Sequence, residues 1–78
     1  IPGKNLIGMQ YVDGPGRMGK IGTVLGQAGV NVETMQIAVK EDSDVATVFM
    51  NVDRAVNGRV QTDLKNVVDA VNAWFIEL

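Results

Sequence analysis

A turn near the N-terminus carries the residues best suited to hold a small charged ligand. Tyr11 and Asp13 end an alternating segment, so both leave a predicted strand on the same face. The turn Gly14-Pro15-Gly16 follows directly and leads into a helical pattern. Glycines at a helix N-terminus leave backbone amides and the positive end of the helix dipole facing outward. This turn is therefore a candidate cradle for a carboxylate or a phosphate.

A free amino acid is a ligand that these residue types can satisfy at both charged ends. The backbone amides of Gly16, Arg17 and Met18 would donate to its carboxylate. Asp13 and the carboxamide of Asn31 would accept from its ammonium group. Ordinary turn chemistry is the alternative, with Asp13 as an Asx-turn or helix cap and Asn31 as a turn residue.

The same turn matches the G-x-G-x-x-G pattern of dinucleotide sites through Gly14, Gly16 and Gly19. Three features disfavour nucleotide binding. The chain is too short for a two-half dinucleotide fold, and its second predicted strand runs straight into a hairpin. The first acid after the helix, Glu33, opens that strand, whereas a ribose-binding acid belongs at its end. What remains is an anion cradle that suits a small carboxylate as well as a phosphate.

Periodicity places this turn between the first strand and the first helix of a βαββαβ chain. Alternation predicts strands at 6–13, 31–40 and 45–52, and the segment 73–78 is short and apolar enough for a last strand. Apolar steps of three and four predict helices at 17–28 and 57–70. This order is typical of the ferredoxin-like α+β sandwich. We therefore expect a four-stranded antiparallel sheet in the order 4-1-3-2 with both helices on one face.

A few residues are expected to fix the helix ends. Pro15 suits the first turn of the first helix, where its missing N–H has no intrahelical partner. Gly29 closes that helix as a C′ glycine, and Asn57 caps the start of the second helix. The apolar stripe of the second helix extends to Val71.

Glycines form a stripe without side chains on the first predicted helix, at Gly19, Gly22 and Gly26. Each glycine inside a helix costs about 1 kcal/mol relative to alanine, so the repeat calls for a packing reason. One interpretation is close packing of the helix on its own sheet. The other is a helix face that a second subunit approaches.

The apolar residues exceed what a one-sided core requires. Hydrophobic residues make up 46% of the chain, before its nine glycines are counted. In the third strand Phe49 and Val45 oppose Val48 and Met50, so both faces of the sheet are apolar. Because the helices cover one face, the other should be partly covered by something else.

Asn31 lies far from the turn in the expected sheet. The order 4-1-3-2 places the second strand at an edge, with the third strand between Asn31 and Asp13. If two copies abut along that edge, Asn31 of one copy can approach the Asp13 turn of the other. The amino-acid site therefore calls for a homodimer.

Composition argues against catalysis by this chain. It has no cysteine and no histidine, which removes thiol nucleophiles, thiolate zinc sites and the commonest general base. The acids are not visibly grouped in a cleft, and Glu41, Asp42 and Asp44 read as a solvated hairpin turn. We expect neither a metal nor a cofactor in this fragment.

Charge and hydropathy argue against two classes of partner, nucleic acids and membranes. The seven basic residues are scattered and the aromatic residues number four, so no nucleic-acid surface is predicted. No apolar run approaches the ~20 residues of a membrane span. We expect a cytoplasmic domain at 6–78, preceded by a lead-in segment at 1–5 from an earlier domain. The start at Ile1 rather than Met also suggests a longer parent chain.

The strand–turn–helix part of the chain resembles an ACT domain. Asp-x-Pro-Gly follows a strand at 13–16, and the next helix ends in Ala-Gly-Val-Asn-Val at 28–32. These residues are most similar to the C-terminal regulatory domains of D-3-phosphoglycerate dehydrogenases of the longer form. The similarity extends over nearly the whole chain, although its second half is generic.

The resemblance implies a regulatory domain with no active site of its own. ACT domains bind small effectors, commonly amino acids, between paired domains, and in this enzyme the effector is the feedback inhibitor L-serine. Tyr11 and Asp13 match the longer form, and Asn31 matches a ligand residue from the neighbouring subunit. Gly14 departs from the arginine more usual in that loop. The implied effector site comprises Tyr11, Asp13, Gly14, Pro15, Gly16, Arg17, Met18 and Asn31.

The parent chain implied by the resemblance is an NAD-dependent phosphoglycerate dehydrogenase of serine biosynthesis, with the dehydrogenase chemistry in another domain. The alternative is an assembly module that pairs catalytic subunits without binding an effector. The same edge strand and glycine helix would serve both functions.

Overall fold

Six elements alternate along the residues that the computed structural model describes, which are 5–39 and 41–77. They are β1 (Asn5–Val12), α1 (Arg17–Gln27), β2 (Val32–Val39), β3 (Val45–Val52), α2 (Gly58–Val67) and β4 (Asn72–Glu77). The strands pair antiparallel in the order β2-β3-β1-β4, which is 4-1-3-2 viewed from the other edge. The predicted ferredoxin-like architecture is confirmed. Of the predicted lead-in segment 1–5, residues 1–4 lie outside the described residues, as do Lys40 and Leu78 at two predicted strand ends. Asn5 begins β1, so its predicted place in the lead-in segment was wrong.

One face of the two central strands forms the core, because residues two apart share a face. On β1 the residues Ile7, Met9 and Tyr11 are at most 2% exposed. Their buried neighbours on β3 are Ala46, Val48, Met50 and Val52. Both helices cover this face, with Ile21 and Leu25 of α1 and Leu64 of α2 joining the same apolar cluster. The layer of helices thus fixes β1, and with it the turn that follows.

The end of α1 is fixed by a glycine, as predicted. Gly29 has a φ of 74°, in the left-handed region. Its amide donates to the carbonyl of Gly26 at 3.1 Å, and the amide of Val30 donates to that of Leu25 at 2.9 Å. This is a Schellman motif, which satisfies the last carbonyls of the helix and directs the chain into β2.

The second helix begins as predicted and ends early. The Asn57 side chain accepts from the amide of Val60 at 2.9 Å, which confirms the N-cap. The helix stops at Val67, because Asp69 adopts a φ of 49° and the amide of Ala70 donates to the carbonyl of Lys65 at 2.8 Å. The prediction that the helix extends to 70 and its stripe to Val71 was therefore wrong. An aspartate here occupies the left-handed position that a glycine usually marks.

The glycine stripe of α1 faces away from the domain. A Cβ placed on Gly19, Gly22 or Gly26 would meet nothing within 4 Å, and all three residues are exposed. Close packing of these glycines on the chain's own sheet is therefore wrong, and the outward orientation matches the other interpretation.

None of the helices in the described parts of the chain is long and apolar enough to cross a membrane.

Candidate functional site

The turn between β1 and α1 is a type II β-turn. The amide of Arg17 donates to the carbonyl of Gly14 at 3.4 Å, and Gly16 has φ 77° and ψ 1°. Those angles belong to the third residue of a type II turn, where glycine is favoured, and proline favours the second position. Pro15 therefore lies in the turn before α1, and its predicted place in the first turn of the helix was wrong. Gly16 is the N-cap instead.

The N-terminus of α1 is left open by this turn. No side chain among the described residues caps it, and its first turn contains no acidic residue. The Arg17 amide was predicted to donate to a carboxylate, but it donates to the Gly14 carbonyl in the turn instead. The first amides of a helix have no intrahelical acceptor, so those of Met18 and Gly19 are left at the positive end of the dipole. An anion at this position would gain both the hydrogen bonds and the dipole.

Asp13 lies beside this open end without capping it. Its carboxylate accepts from the amide of the next residue, Gly14, at 3.0 Å. Its own amide donates to the carbonyl of Asp44 at 2.7 Å, which fixes the backbone at the end of β1. The side chain is exposed, so one carboxylate oxygen stays open to a cationic group near the turn.

Tyr11 is a buried residue that contacts the first turn of α1. Its side chain is 1% exposed, and the hydroxyl donates to the sulfur of Met18 at 3.2 Å. Burial raises the pKa of the Tyr11 hydroxyl above its usual 10.0; the Asp13 charge adds to the rise and Arg17 opposes it. The hydroxyl therefore stays protonated at neutral pH and ties β1 to the first turn of α1.

The side chain of Arg17 contributes a positive charge that the sequence reasoning did not assign to it. Its Nε lies 3.5 Å from the point where a Cβ on Gly14 would stand, so the guanidinium folds back over the turn. That Nε is buried and has no hydrogen-bond partner among the described residues. The charge adds to the helix dipole and makes this corner more favourable to an anion.

Asn31 lies at the other end of the sheet. It precedes Val32, which pairs with Val52, whereas Asp13 follows Val12, which pairs with Val45. Eight residues of strand separate these ends, a distance of about 26 Å at ~3.3 Å per residue. The structure thus groups 11–18 at one corner and excludes Asn31 from it within a single chain.

Asp53 positions Asn31, and the sequence reasoning missed it. The amide of Asn31 donates to Asp53 Oδ1 at 2.9 Å, and the amide of Asp53 donates to the Asn31 carbonyl at 3.0 Å. The Asn31 amide, followed by the side chain of Arg54, lowers the pKa of the Asp53 carboxyl below 3.8. The sequence feature that could have indicated this role is an acid directly after β3, opposite the start of the antiparallel β2. We call the two hydrogen bonds between Asp53 and Asn31 the Asp53 clamp. The clamp leaves the exposed Asn31 carboxamide free to reach outward.

One uncovered surface lies beside the glycine stripe. On the helix side of β2, Met35, Ile37 and Val39 are 41–49% exposed, although their partners on β3 are buried. At 100° per residue the glycines of α1 lie opposite Val24 and Ala28, which line the groove toward α2. The stripe therefore faces the β2 edge. We call this the β2–glycine surface; it comprises Gly19, Gly22, Gly26, Met35, Ile37 and Val39.

The sequence profile of the ACT domain family matches residues 6–69 of this chain. The chain therefore belongs to the ACT domain family, whose members are regulatory modules. The predicted family is confirmed.

Two D-3-phosphoglycerate dehydrogenases are similar to this chain in sequence. The D-3-phosphoglycerate dehydrogenase of Mycobacterium tuberculosis is 41% identical over 76 residues, which are 97% of this chain and 14% of that protein. The D-3-phosphoglycerate dehydrogenase of Bacillus subtilis is 32% identical over 77 residues, which are 99% of this chain and 15% of that protein. The chain thus spans only a small part of the length of these relatives.

Solved structures agree on the fold. The ligand-free regulatory subunit of aspartate kinase from Thermus thermophilus aligns with a TM-score of 0.75 at 19% identity, covering 97% of this chain and 52% of that one. The small subunit of acetolactate synthase from Thermotoga maritima aligns with a TM-score of 0.72 at 17% identity, covering 95% and 47%.

Removing the Asp53 charge should loosen the end of β2 in a pH-dependent way. A carboxyl whose pKa is lowered on folding stabilises the fold above its unfolded value, and this contribution is lost as pH falls through the folded value. Asp53→Asn should therefore lower the melting temperature at pH 7, and its difference from the wild type should close below pH 3.8.

Asp42→Asn, at an exposed acid of the β2–β3 turn, is the matched control and should leave the melting temperature nearly unchanged. A constant difference between wild type and Asp53→Asn from pH 7 down to pH 2 would contradict the proposed clamp.

Proposed function

We propose that this chain is an amino-acid-sensing regulatory domain that binds L-serine and mediates feedback inhibition of a phosphoglycerate dehydrogenase. The observation that carries the proposal is the uncapped N-terminus of α1, beside the Asp13 carboxylate and the Arg17 guanidinium. The 41% identity to the dehydrogenase of M. tuberculosis supports the choice of parent enzyme. Serine is the end product of the pathway that such an enzyme serves, and the cytoplasm is its proposed compartment.

The two charged ends of an amino acid match the two halves of this corner. The carboxylate would accept from the Met18 and Gly19 amides and gain from the nearby Arg17 charge. The ammonium group would donate to the free oxygen of Asp13. A ligand of this kind needs no cofactor and no metal.

The remaining acceptor, Asn31, is supplied by a second chain in this proposal. A two-fold axis beside β2 would place the two β2 edges antiparallel, as the closed symmetry of a homodimer requires. The start of one β2 then lies at the end of its partner's β2, the same end of the sheet as the Asp13 turn. The β2–glycine surface is the contact, because it is apolar, uncovered and adjacent to that edge.

A ligand-independent assembly module is the second candidate. The observation that favours it is the exposed apolar strip Met35, Ile37 and Val39, which would drive pairing whether or not an effector binds. The two functions differ in sedimentation: an assembly module has the same dissociation constant for the dimer with and without serine.

Titration of L-serine into the dimer should produce heat at millimolar ligand or below, with D-serine as the stereochemical control. Removal of one charged hydrogen-bond acceptor typically costs about 1.5–3 kcal/mol, so Asp13→Ala should weaken binding roughly 10–100-fold. Asp42→Ala, three residues from the strand end on the neighbouring turn, should bind as the wild type does. Absence of heat with the dimeric wild type would eliminate serine as the effector.

A charge on the β2–glycine surface should abolish pairing and serine binding together. Ile37→Lys would bury an unpaired ammonium between two chains, and it should give a monomer by sedimentation at low micromolar concentration. Val71→Lys is the matched control, since Val71 is 64% exposed and lies away from this surface. A monomeric Ile37→Lys protein that bound serine with unchanged affinity would show that one chain holds the whole site.

A further inference from the structure

A basic residue, Arg54, lies beside the Asp53 clamp at the end of β3. Its Nε donates to Asp53 Oδ1 at 3.3 Å, and its Nη2 donates to Asp53 Oδ2 at 3.2 Å. Oδ1 also accepts from the Asn31 amide, so the guanidinium lies at the end of the sheet where β2 begins. These bonds use two of the five N–H donors of an arginine, and the side chain is 61% exposed. Arg54 therefore presents a positive charge and further donors next to the β2 edge.

An acidic turn follows the other end of β2. Glu41 is the second residue after that strand, and Asp42 and Asp44 belong to the same turn. All three acids are exposed, and none of them forms an ion pair within the described parts of the chain. One lysine, Lys40, stands before these three acids in the sequence, so the segment 40–44 is negative overall.

The side-by-side dimer of the proposed function brings the basic end and the acidic end together. A two-fold axis beside β2 places the start of one β2 at the end of its partner's β2. Arg54 follows β3, the neighbour of β2, so it lies about two strand spacings, or ~10 Å, from Glu41 of the other copy. An extended arginine and an extended glutamate together span that distance. Symmetry forms the same contact twice in each dimer.

The other charges at this place make a basic residue necessary for pairing. One copy contributes Glu33, in the first turn of residues of β2, and the clamped Asp53, while the other contributes its acidic turn. Like charges that face each other across an interface oppose association. Arg54 adds the opposite charge between these two acidic groups, and it is held there by its bonds to Asp53.

The apolar part of the contact does not determine how the two strands are aligned. Met35, Ile37 and Val39 are exposed apolar side chains on one strand, and apolar burial is non-directional. Two β2 strands that slip past each other by two residues still bury these side chains. A charged pair at each end has one alignment only, because complementary charges fix the register of an interface.

We propose that Arg54 of each copy binds Glu41 of the other, and that this pair of contacts sets the register in which each copy delivers Asn31 to its partner's effector site. The proposal rests on the side-by-side dimer of the proposed function and names the residues that align it. Hydrogen bonds through Asp53 connect the contact to Asn31, so pairing and effector binding share one structural element.

Charge reversal at either residue should weaken the dimer. Sedimentation of the 78-residue chain over a concentration series gives its dissociation constant. Arg54→Glu and Glu41→Arg should each raise that constant about tenfold or more, because both copies of the contact change from attraction to repulsion. Circular dichroism establishes that each variant is folded.

Two residues of α2 provide matched controls. Arg59 and Asp63 are exposed and line the groove toward α1, so α1 separates them from the β2 edge. Arg59→Glu and Asp63→Arg make the same changes in net charge as the two test variants. Both should keep the dissociation constant of the wild type.

A double variant that carries both Arg54→Glu and Glu41→Arg separates a contact between chains from an effect within one chain. The two positions lie at opposite ends of the sheet, about 26 Å apart, so their charges do not meet within a chain. The exchanged charges attract each other only across the dimer, and the double variant should recover the dissociation constant and the serine affinity of the wild type. A defect that arose only from lost bonds to Asp53 would persist in it.

Equal dissociation constants for the wild type and both single variants would overturn this proposal and leave the dimer intact. A double variant that pairs no better than Arg54→Glu would overturn it as well. A wild type that stays monomeric in millimolar serine would instead remove the side-by-side dimer of the proposed function, and this contact with it. The two failures are thus distinguished by the wild type alone.

Discussion

The separation of about 26 Å between the two ends of the sheet governs how this domain can work. The chain leaves β1 at the Asp13 end, crosses in α1 and must return to the opposite end before β2 begins. Asn31 is therefore carried away from the open helix terminus by the connection that creates that terminus. In the proposed site a partner related by a two-fold axis brings both ends together, so serine binding and pairing would be linked events. A ligand that requires both chains stabilises the pair by mass action.

The uncovered surfaces follow from the same geometry. Two helices suffice to cover β1 and β3, and the apolar residues on the same side of β2 are left exposed. Gly19, Gly22 and Gly26 of α1 each cost about 1 kcal/mol in helix propensity relative to alanine. That cost is explained if the backbone of another chain approaches them. On the sheet face that no helix covers, Gly8 leaves room for the stacked rings of Phe49 and Trp74. The apolar excess of the sequence thus belongs to surfaces rather than to a large core.

Features governed by periodicity could be predicted from the sequence, and features governed by register could not. Alternation identified β3 at 45–52, and Gly29 marked the end of α1, because both depend on local preferences. Asp69 ends α2 without the glycine that signals such an end. Pro15 suits a helix start and a type II turn equally, and only the left-handed Gly16 decides between them.

The parts of the site that escaped prediction depend on contacts distant in sequence. The Asp53 clamp on Asn31 exists because β2 pairs with β3 in one register, including an irregularity between Val32 and Thr34. The position of the Arg17 guanidinium depends on the space above Gly14. Tyr11 was expected among the ligand contacts; in this structure its hydroxyl holds Met18 beneath the turn.

Complementation between two weakened variants measures the central claim most directly. Asp13→Ala and Asn31→Ala should each weaken serine binding when studied alone, because every site in either dimer lacks one acceptor. In an equilibrated equimolar mixture, half of the dimers are mixed and each contains one intact site, so about one quarter of the wild-type sites should return at wild-type affinity. No recovery of binding in a mixture shown to exchange subunits would contradict a site built from two chains.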